Sequence, residues 1–494
     1  MKGSMKARKT VSLKRRKGIY PDSVQSVGQE VFFIFRETQQ KKLGIANPKN
    51  LSQRFEGVCE GELKVCDLSS HNAAVLREIF LWTAPTSIPK NCISFGTGDR
   101  LGNATPGHIL AVKSKRVFPV LAQQSVREMT RTDRSPRQVI DAATWGVFQT
   151  GYKRGFAADA DHIKKIDDAV AFLKLGFTLF TIDSSEYIHP ENLHLSDHDA
   201  QNYFENDPQR DILKKIYLDQ PMKFNDKSSL SQIGFSPADL GRAVAIYGKS
   251  VEFVASLYHV LRQESVGKPF FLEVSIDETS TSTLPRDHFF VASELNRRGV
   301  HFQSLAPRFV GEFQKGIDYI GDKKQFENEF KVHVAIARYF GNYKISIHSG
   351  SDKFSIFRII GKWARKNFHL KTAGTSWLEA MRIVAQKEPD LYRSIHRFAL
   401  GVFEKDRQSY HVTTDLAAIH PIDTLPNNSL ENYFDDKNAR QLIHITYGSI
   451  LTAKDGDGNY LFRDKIYRSL FNHETRYYRQ LGNHLRKHLL KLGV

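Results

Sequence analysis

Between residues 91 and 400 the sequence repeats one unit: a short apolar run, a cluster of small and polar residues, then a stretch with helical spacing. Eight such runs are present, at 92–98, 117–123, 155–161, 177–183, 269–277, 300–306, 343–348 and 369–374. The stretches between them carry the period of amphipathic helices. Pro136–Thr150 puts Val139, Ile140, Ala143, Val147 and Phe148 on one face, and 163–175 does the same with Ile166, Val170, Leu173 and Leu175, stopping before Gly176. Strands that alternate with helices enter a parallel sheet, because each helix carries the chain back to the end at which the strand began. Eight of them close on themselves, which predicts an α/β fold, a (β/α)8 TIM-type barrel over 91–400.

Two departures from a minimal barrel are visible. About 85 residues, 184–268, separate the fourth run from the fifth and include a helical stretch at 236–263. An insertion after a strand falls on the face where barrels place their chemistry, so this one is expected to act as a lid. Residues 19–90 read as an N-terminal α+β element with strands at 31–36 and 55–68, and 401–494 as a helical region packed around the barrel.

The net charge of +17 raises the question of nucleic acid. Eight Lys and Arg with no acid lie in residues 1–18, which leaves an excess of nine over the other 476. That segment reads as a solvated, disordered tail, with weak polyanion contact as the competing reading. No nucleic-acid partner is expected. No segment approaches the ~18 uninterrupted apolar residues of a membrane span, and no apolar stretch follows the basic start as in a secretory signal. The three cysteines, Cys59, Cys66 and Cys92, form no C-x-x-C pair, which argues against a zinc ribbon or a disulfide framework. A cytoplasmic protein is expected.

All eight runs end in polar residues although the runs themselves are largely apolar. The ends carry Asp99 and Arg100; Gln123, Gln124, Arg127 and Glu128; Asp159, Asp161 and His162; Asp183; Glu273, Asp277 and Glu278; Arg308; His348, Asp352 and Lys353; and Lys371. In these barrels the functional side chains project from the C-terminal strand ends. His162 and His348, on different strands, can meet on one divalent ion, with carboxylates completing a nitrogen and oxygen shell. Either histidine alone is more readily explained as a surface or capping residue. Glu273 lies within its run, where a carboxylate is costly unless paired or functional, and a salt bridge to Lys371 is the competing explanation. Asp159 and Asp161 share a face, so that one orients while the other titrates. Arg308 and Lys353 suit a substrate carboxylate or hydroxyls; Asp99, Arg100, Gln124, Asp183, Asp352 and Lys371 complete the set expected to hold a polyhydroxylated ligand.

Familiar short motifs do not explain the chain. Gly96-x-Gly98-x-x-x-Gly102 misses the dinucleotide spacing, and the stretch from Asp455 lacks the glycine and the terminal glutamate of a calcium loop. Longer blocks do carry a resemblance. FGTGDRLGNATPGH (95–108), QSVREMTRT (124–132), AADADH (157–162), FTIDSS (180–185), LEVSIDET (272–279), SLAPRFVGEFQKGIDY (304–319), SIHSGSDKFS (346–355) and KTAGTSWLEA (371–380) resemble the tagaturonate/fructuronate epimerase family of bacterial hexuronate breakdown.

The resemblance implies a divalent-metal-dependent epimerase (Zn, Mn, Co or Ni) that interconverts D-tagaturonate and D-fructuronate, inverting the hydroxyl carbon β to the ketone. A proton on that carbon is not acidified, so retro-aldol cleavage and re-addition is the expected route. It further implies Asp161 and Glu273 as acid and base, and His162 and His348 as metal ligands. The third ligand stays open among Gln303, His301 and Glu273, with Gln303 taken first. Activity on neutral ketohexoses is left open, as is assembly into a homo-oligomer. A metal-dependent sugar isomerase or aldolase on the same barrel is the nearest alternative, and a non-enzymatic polyanion-binding protein the more distant one.

Overall fold

The computed structural model describes residues 17–218, 222–226 and 229–494, so all but the last two residues of the predicted tail 1–18 lie outside the described residues. Each of the eight apolar runs becomes a parallel strand: Ile93–Thr97, Val117–Ser125, Ala157–Ile163, Leu179–Asp183, Phe271–Ile276, Ser304–Pro307, Lys344–Ile347 and Phe368–Thr372. The last pairs with the first through His369↔Ser94 and Lys371↔Gly96, which closes the barrel. The sixth strand starts four residues later than its apolar run. The backbone of Val300 closes the helix Pro285–Arg297 by donating to Leu295 O (2.9 Å) and cannot also enter the ladder.

The helices form where caps and periodicity coincide. Pro136–Thr150 opens on a capping box between Ser135 and Gln138 and ends at Gly151, whose φ of 58° is left-handed. Its outer face carries Trp145 and Phe148 into the core of the N-terminal element, against Phe32, Ile34 and Phe80. That element is a five-stranded antiparallel sheet. The single strand expected at 55–68 is a hairpin of Val58–Glu60 and Leu63–Asp67, because the chain turns at Gly61 with φ 63°.

The insertion places its main element in the outer ring of the barrel rather than in the expected lid. Its long helix, Pro237–Glu264, buries Leu240, Val244, Tyr247, Val251, Val254, Tyr258 and Leu261, spaced at three and four residues. With that stripe it packs in the outer ring between helices Ile166–Leu175 and Pro285–Arg297. The C-terminal helix Glu474–Lys491 packs on helix Thr105–Val112 where Gly107 faces Gly482; a Cβ on either would press into the other helix. No helix among the described residues is long and apolar enough to cross a membrane.

Candidate active site

A barrel of this kind ordinarily fills its interior with branched apolar side chains. This one buries Asp159, Asp161, Thr181, Glu273, His369 and Lys371. Lys371 Nζ lies 2.8 Å from Asp159, 2.7 Å from Asp161 and 3.0 Å from Glu273, and it also donates to the Thr181 hydroxyl. One ammonium cannot neutralise three buried carboxylates. Burial pushes the Asp159 carboxyl up to about 7 against the pull of Lys371. For Asp161 and Glu273 burial acts the same way but loses: Lys371 and the neighbouring histidines hold both well below the usual carboxylate range.

Above this layer sit two histidines. The pairing of the third and fourth strands shifts register between Ala160 and Ile163, and His162 takes a left-handed φ of 56° there. The bulge lets the consecutive Asp161 and His162 both face the barrel mouth, which a regular strand forbids. A strained φ of this kind persists only where its surroundings hold it. His348 follows the seventh strand directly and precedes Ser349, with φ 48°. The two rings lie 5.1 Å apart.

Each ring has one nitrogen committed to a carboxylate. His162 Nδ1 donates to Asp161 Oδ1 (2.8 Å) and His348 Nε2 to Glu273 Oε1 (2.8 Å). The other His348 nitrogen, Nδ1, is 3.0 Å from Asp277 Oδ1, and Asp277 in turn accepts from the Ser275 hydroxyl (2.6 Å). Burial disfavours charge on both partners of the His348–Asp277 pair. Even so, Asp277 and Glu273 raise His348 to about 10, and His348 with His162 lowers Asp277 to about 2.

One donor atom each from His162, Asp277 and His348 lies within 4.8 Å of the others. Two imidazoles and a carboxylate are a ligand set for a catalytic transition metal, and histidines oriented by carboxylates are the usual second layer of such a site. The residues present therefore fit a divalent cation, with Asp277 as the third ligand.

The mouth opens into two adjoining cavities of about 50 and 290 Å³ that share Arg127, Glu278, Lys315, His348, Ser349 and Tyr410 as walls. The smaller reaches down to Gln123, Asp161, His162 and Lys371. The larger is bordered by Arg308, Phe309, Glu312, Phe313 and His411. Lys315 Nζ donates to the Ser349 hydroxyl (2.7 Å). His444, on the C-terminal helix Lys437–Ile445, crosses Gly374 so closely that a Cβ there would enter its ring.

Among the residues marked by the sequence, Asp161, His162, His348 and Lys371 border the cleft, with Arg100 at its edge, and Glu273 lies directly beneath it, wholly buried. Arg100 is held by Glu128 (2.7 Å) and His444 O (3.1 Å), and Arg308 borders the larger cavity while donating to Thr279 O.

Other expectations are corrected. Gln303 precedes its strand, so it sits at the opposite end of the barrel, where Oε1 accepts from Leu272 N (2.7 Å) and Nε2 donates to His301 O (3.1 Å). Gln124 points outward to Thr132 and Arg134, and strand parity gives the cleft Gln123 instead. Asp99 accepts from the backbone of Leu101, Gly102 and Ala104, while Asp183 accepts from Ser185 N. Lys353 is wholly buried on the carbonyls of Gln314, Ile317 and Ser351. Asp352 binds Arg440 (2.5 Å) and His484 (2.6 Å), fastening the C-terminal helices to the loop after His348. Asp277 stood in the sequence among the polar strand-end residues, and it shares the face of Glu273 by period two; no sequence signal marked Lys315, Tyr410 or His411, which arrive on loops.

A parallel eight-stranded barrel with buried carboxylates, a lysine and two histidines at its C-terminal mouth defines the chain as a barrel enzyme equipped for acid–base chemistry. Known proteins agree and go further. The model of the family described as UxaE, tagaturonate epimerase, matches residues 20–492. The tagaturonate/fructuronate epimerase of Thermotoga maritima is 42% identical over 479 residues, 95% of this chain and 96% of that one. A crystal structure of fructuronate-tagaturonate epimerase UxaE from Cohnella laeviribosi complexed with one glycerol superposes with a TM-score of 0.94 at 42% identity, covering 100% of both chains. The native structure of that protein gives 0.93 at 43% identity, over 98% of this chain and 99% of that one. The chain belongs to the tagaturonate epimerase family and is an epimerase, an enzyme of the isomerase class.

Proposed function

We propose that the enzyme interconverts D-tagaturonate and D-fructuronate with a divalent cation held by His162, His348 and Asp277, by retro-aldol cleavage and re-addition. The observation that carries the reading is the donor trio at the barrel mouth, backed by Asp161, Glu273 and Lys371. The names of the relatives supply the substrates. When bound, the cation would act as a Lewis acid for the negative charge that develops on the ketone oxygen.

The chain's own residues do the rest. The sugar-acid carboxylate docks in the larger cavity, where Arg308 and Lys315 supply positive charge and donors. The polyol chain descends toward Asp161. A carboxylate on that face accepts the proton of the β-hydroxyl, the bond between the α and β carbons breaks, and its electrons pass to the ketone as an enediolate. The aldehyde formed turns over, the enediolate re-adds to its other face, and a proton returns to the new alkoxide. Two groups on opposite faces are needed. Asp161 with Lys371 beside it serves one, and Glu278, across the cleft and 3.8 Å from His162 Nε2, serves the other.

Glu273 does not border the cleft. Its part is to hold His348 and Lys371, in place of the acid–base role the resemblance implied. A cytoplasmic location, a small sugar-acid partner and no nucleic-acid partner go with the reading.

The test is metal-stripped protein assayed with either hexuronate, then with Zn, Mn, Co or Ni restored. Turnover should vanish and return, the six-carbon chain should be retained, and Asp277→Asn should lose bound metal. Full turnover in metal-free protein, or three-carbon products, would refute the proposal.

A further inference from the structure

The first two barrel strands begin at Ile93 and Val117, and beside those starts, at the end of the barrel opposite the catalytic mouth, lies a cavity of about 1090 Å³. It is several times larger than either catalytic cavity. Its remaining walls are helix Phe357–Ala364 with the turn after it, the end of the C-terminal helix, and Tyr152 and Arg154 ahead of the third strand. Not one aspartate or glutamate lines it, while eight lysines and arginines do.

Three of those cations are engaged: Lys115 with Val494 O (2.8 Å), Arg154 with Lys113 O (2.8 Å) and Lys362 with Glu327 (3.1 Å). The side chains of the other five, Arg116, Arg358, Arg365, Lys366 and Lys491, have no ion pair or hydrogen bond among the described residues. Like charges gathered around one concavity repel each other, and an anion that enters is drawn by all of them at once. The arginines add the planar forks that bind phosphate through two parallel bonds.

The floor differs from the rim. Val117, Phe118, Tyr152 and Leu492 line it, two of them aromatic. Inorganic phosphate would leave that surface unused. A ligand with a flat body for the floor and several negative charges for the rim uses both, and bases stack on aromatic side chains whatever their sequence. The volume is of the order that small-molecule sites reach, ~300–1000 Å³.

We infer that this cavity binds a small nucleoside polyphosphate, its base on the half-buried Phe118 and its phosphates among Arg116, Arg358, Arg365, Lys366 and Lys491. None of these residues touches the catalytic cleft. The same C-terminal helix that ends at the cavity also holds Asp352 through His484 and His488, four residues beyond His348. A ligand here therefore has a mechanical route to the catalytic loop.

The test is calorimetric titration of the full chain with ATP at about 0.15 M salt, in parallel with inorganic tripolyphosphate and a long single-stranded RNA. The expected result is saturation at one ATP per chain, about 10-fold tighter than tripolyphosphate. Arg358→Ala/Arg365→Ala should weaken ATP binding at least about 10-fold, with unchanged circular dichroism and unchanged epimerase turnover in the absence of ATP. No saturable binding at millimolar ATP overturns the inference. So does equal binding by the double variant, tripolyphosphate binding as tightly as ATP, or RNA binding where ATP does not.

Discussion

Replacing Lys371 by Met keeps the volume of the side chain and removes its charge from the centre of the barrel. Lys371 is 3% exposed and serves Asp159, Asp161 and Glu273 within 3.0 Å. Breaking a buried ion pair by removing one partner costs ~3–5 kcal/mol, because the other charge stays buried without compensation. Unfolding entropy scales as about 2.1 cal/mol/K per residue, so for a chain of 494 residues that cost corresponds to a Tm lower by roughly 3–5 °C.

The pH dependence carries the sharper test. With Lys371 present, Asp161 and Glu273 titrate below their unfolded values, so they contribute stability above the normal carboxylate range and lose it as pH falls. Without Lys371, burial dominates and lifts them above their unfolded values. Their contribution is then present only in acid and is lost as pH rises through the raised value. The Tm gap between wild type and Lys371→Met should therefore be smallest near pH 4–5 and widest above pH 7. Scanning calorimetry of both proteins across that range measures it. A gap that is constant with pH, or that widens in acid, would show that Lys371 does not govern these carboxylates.

Two further substitutions test the assignments within the cleft. Asp161→Asn should lose about 10²–10⁴-fold in kcat in both reaction directions while keeping the fold; near-full turnover would move the acid–base role to another residue. Arg308→Ala should raise KM for hexuronates about 10-fold or more and leave kcat nearly unchanged, whereas equal losses on a neutral ketohexose and on the acid would show that Arg308 does not read the carboxylate.

The barrel was legible in the sequence because its strands and helices have different periods and its strand ends are polar. Asp161, Glu273 and Lys371 were legible for the same reason: each sits within a strand, where parity decides which way a side chain faces. His348 was marked by its place directly after a strand, whereas parity alone turns His162 away from Asp161 and the bulge between Ala160 and Ile163 brings it back. The misreadings share a cause in the opposite direction. Gln124, Asp99, Asp352 and Lys353 were taken as ligand-binding for being polar near a strand end, but polarity alone does not separate a side chain that meets a ligand from one that satisfies a loop's own backbone. Asp99 caps three N–H groups, and Lys353 closes on three carbonyls. Gln303 was misplaced because four residues of its apolar run, 300–303, serve to leave a helix rather than to enter the sheet.

The insertion misled for a different reason, and it bears on how the cleft closes. Length after the fourth strand suggested a lid, yet the apolar stripe of Pro237–Glu264 commits that helix to the ring. Cover comes instead from the loop that carries Lys315 and from the segment with Tyr410 and His411, together with His444 of the C-terminal region. These pieces are tied to one another. Gln314 Oε1 accepts from Thr413 N (3.0 Å), Arg440 holds Gly316 O (2.8 Å), and Arg440 also pairs with Asp352 beside the His348 loop. The C-terminal region is therefore part of the active site's architecture. It fixes a wall of the cleft that Asp161 borders at a distance set by packed helices, which is the control that the proposed route, in which a cleaved aldehyde turns over without release, requires.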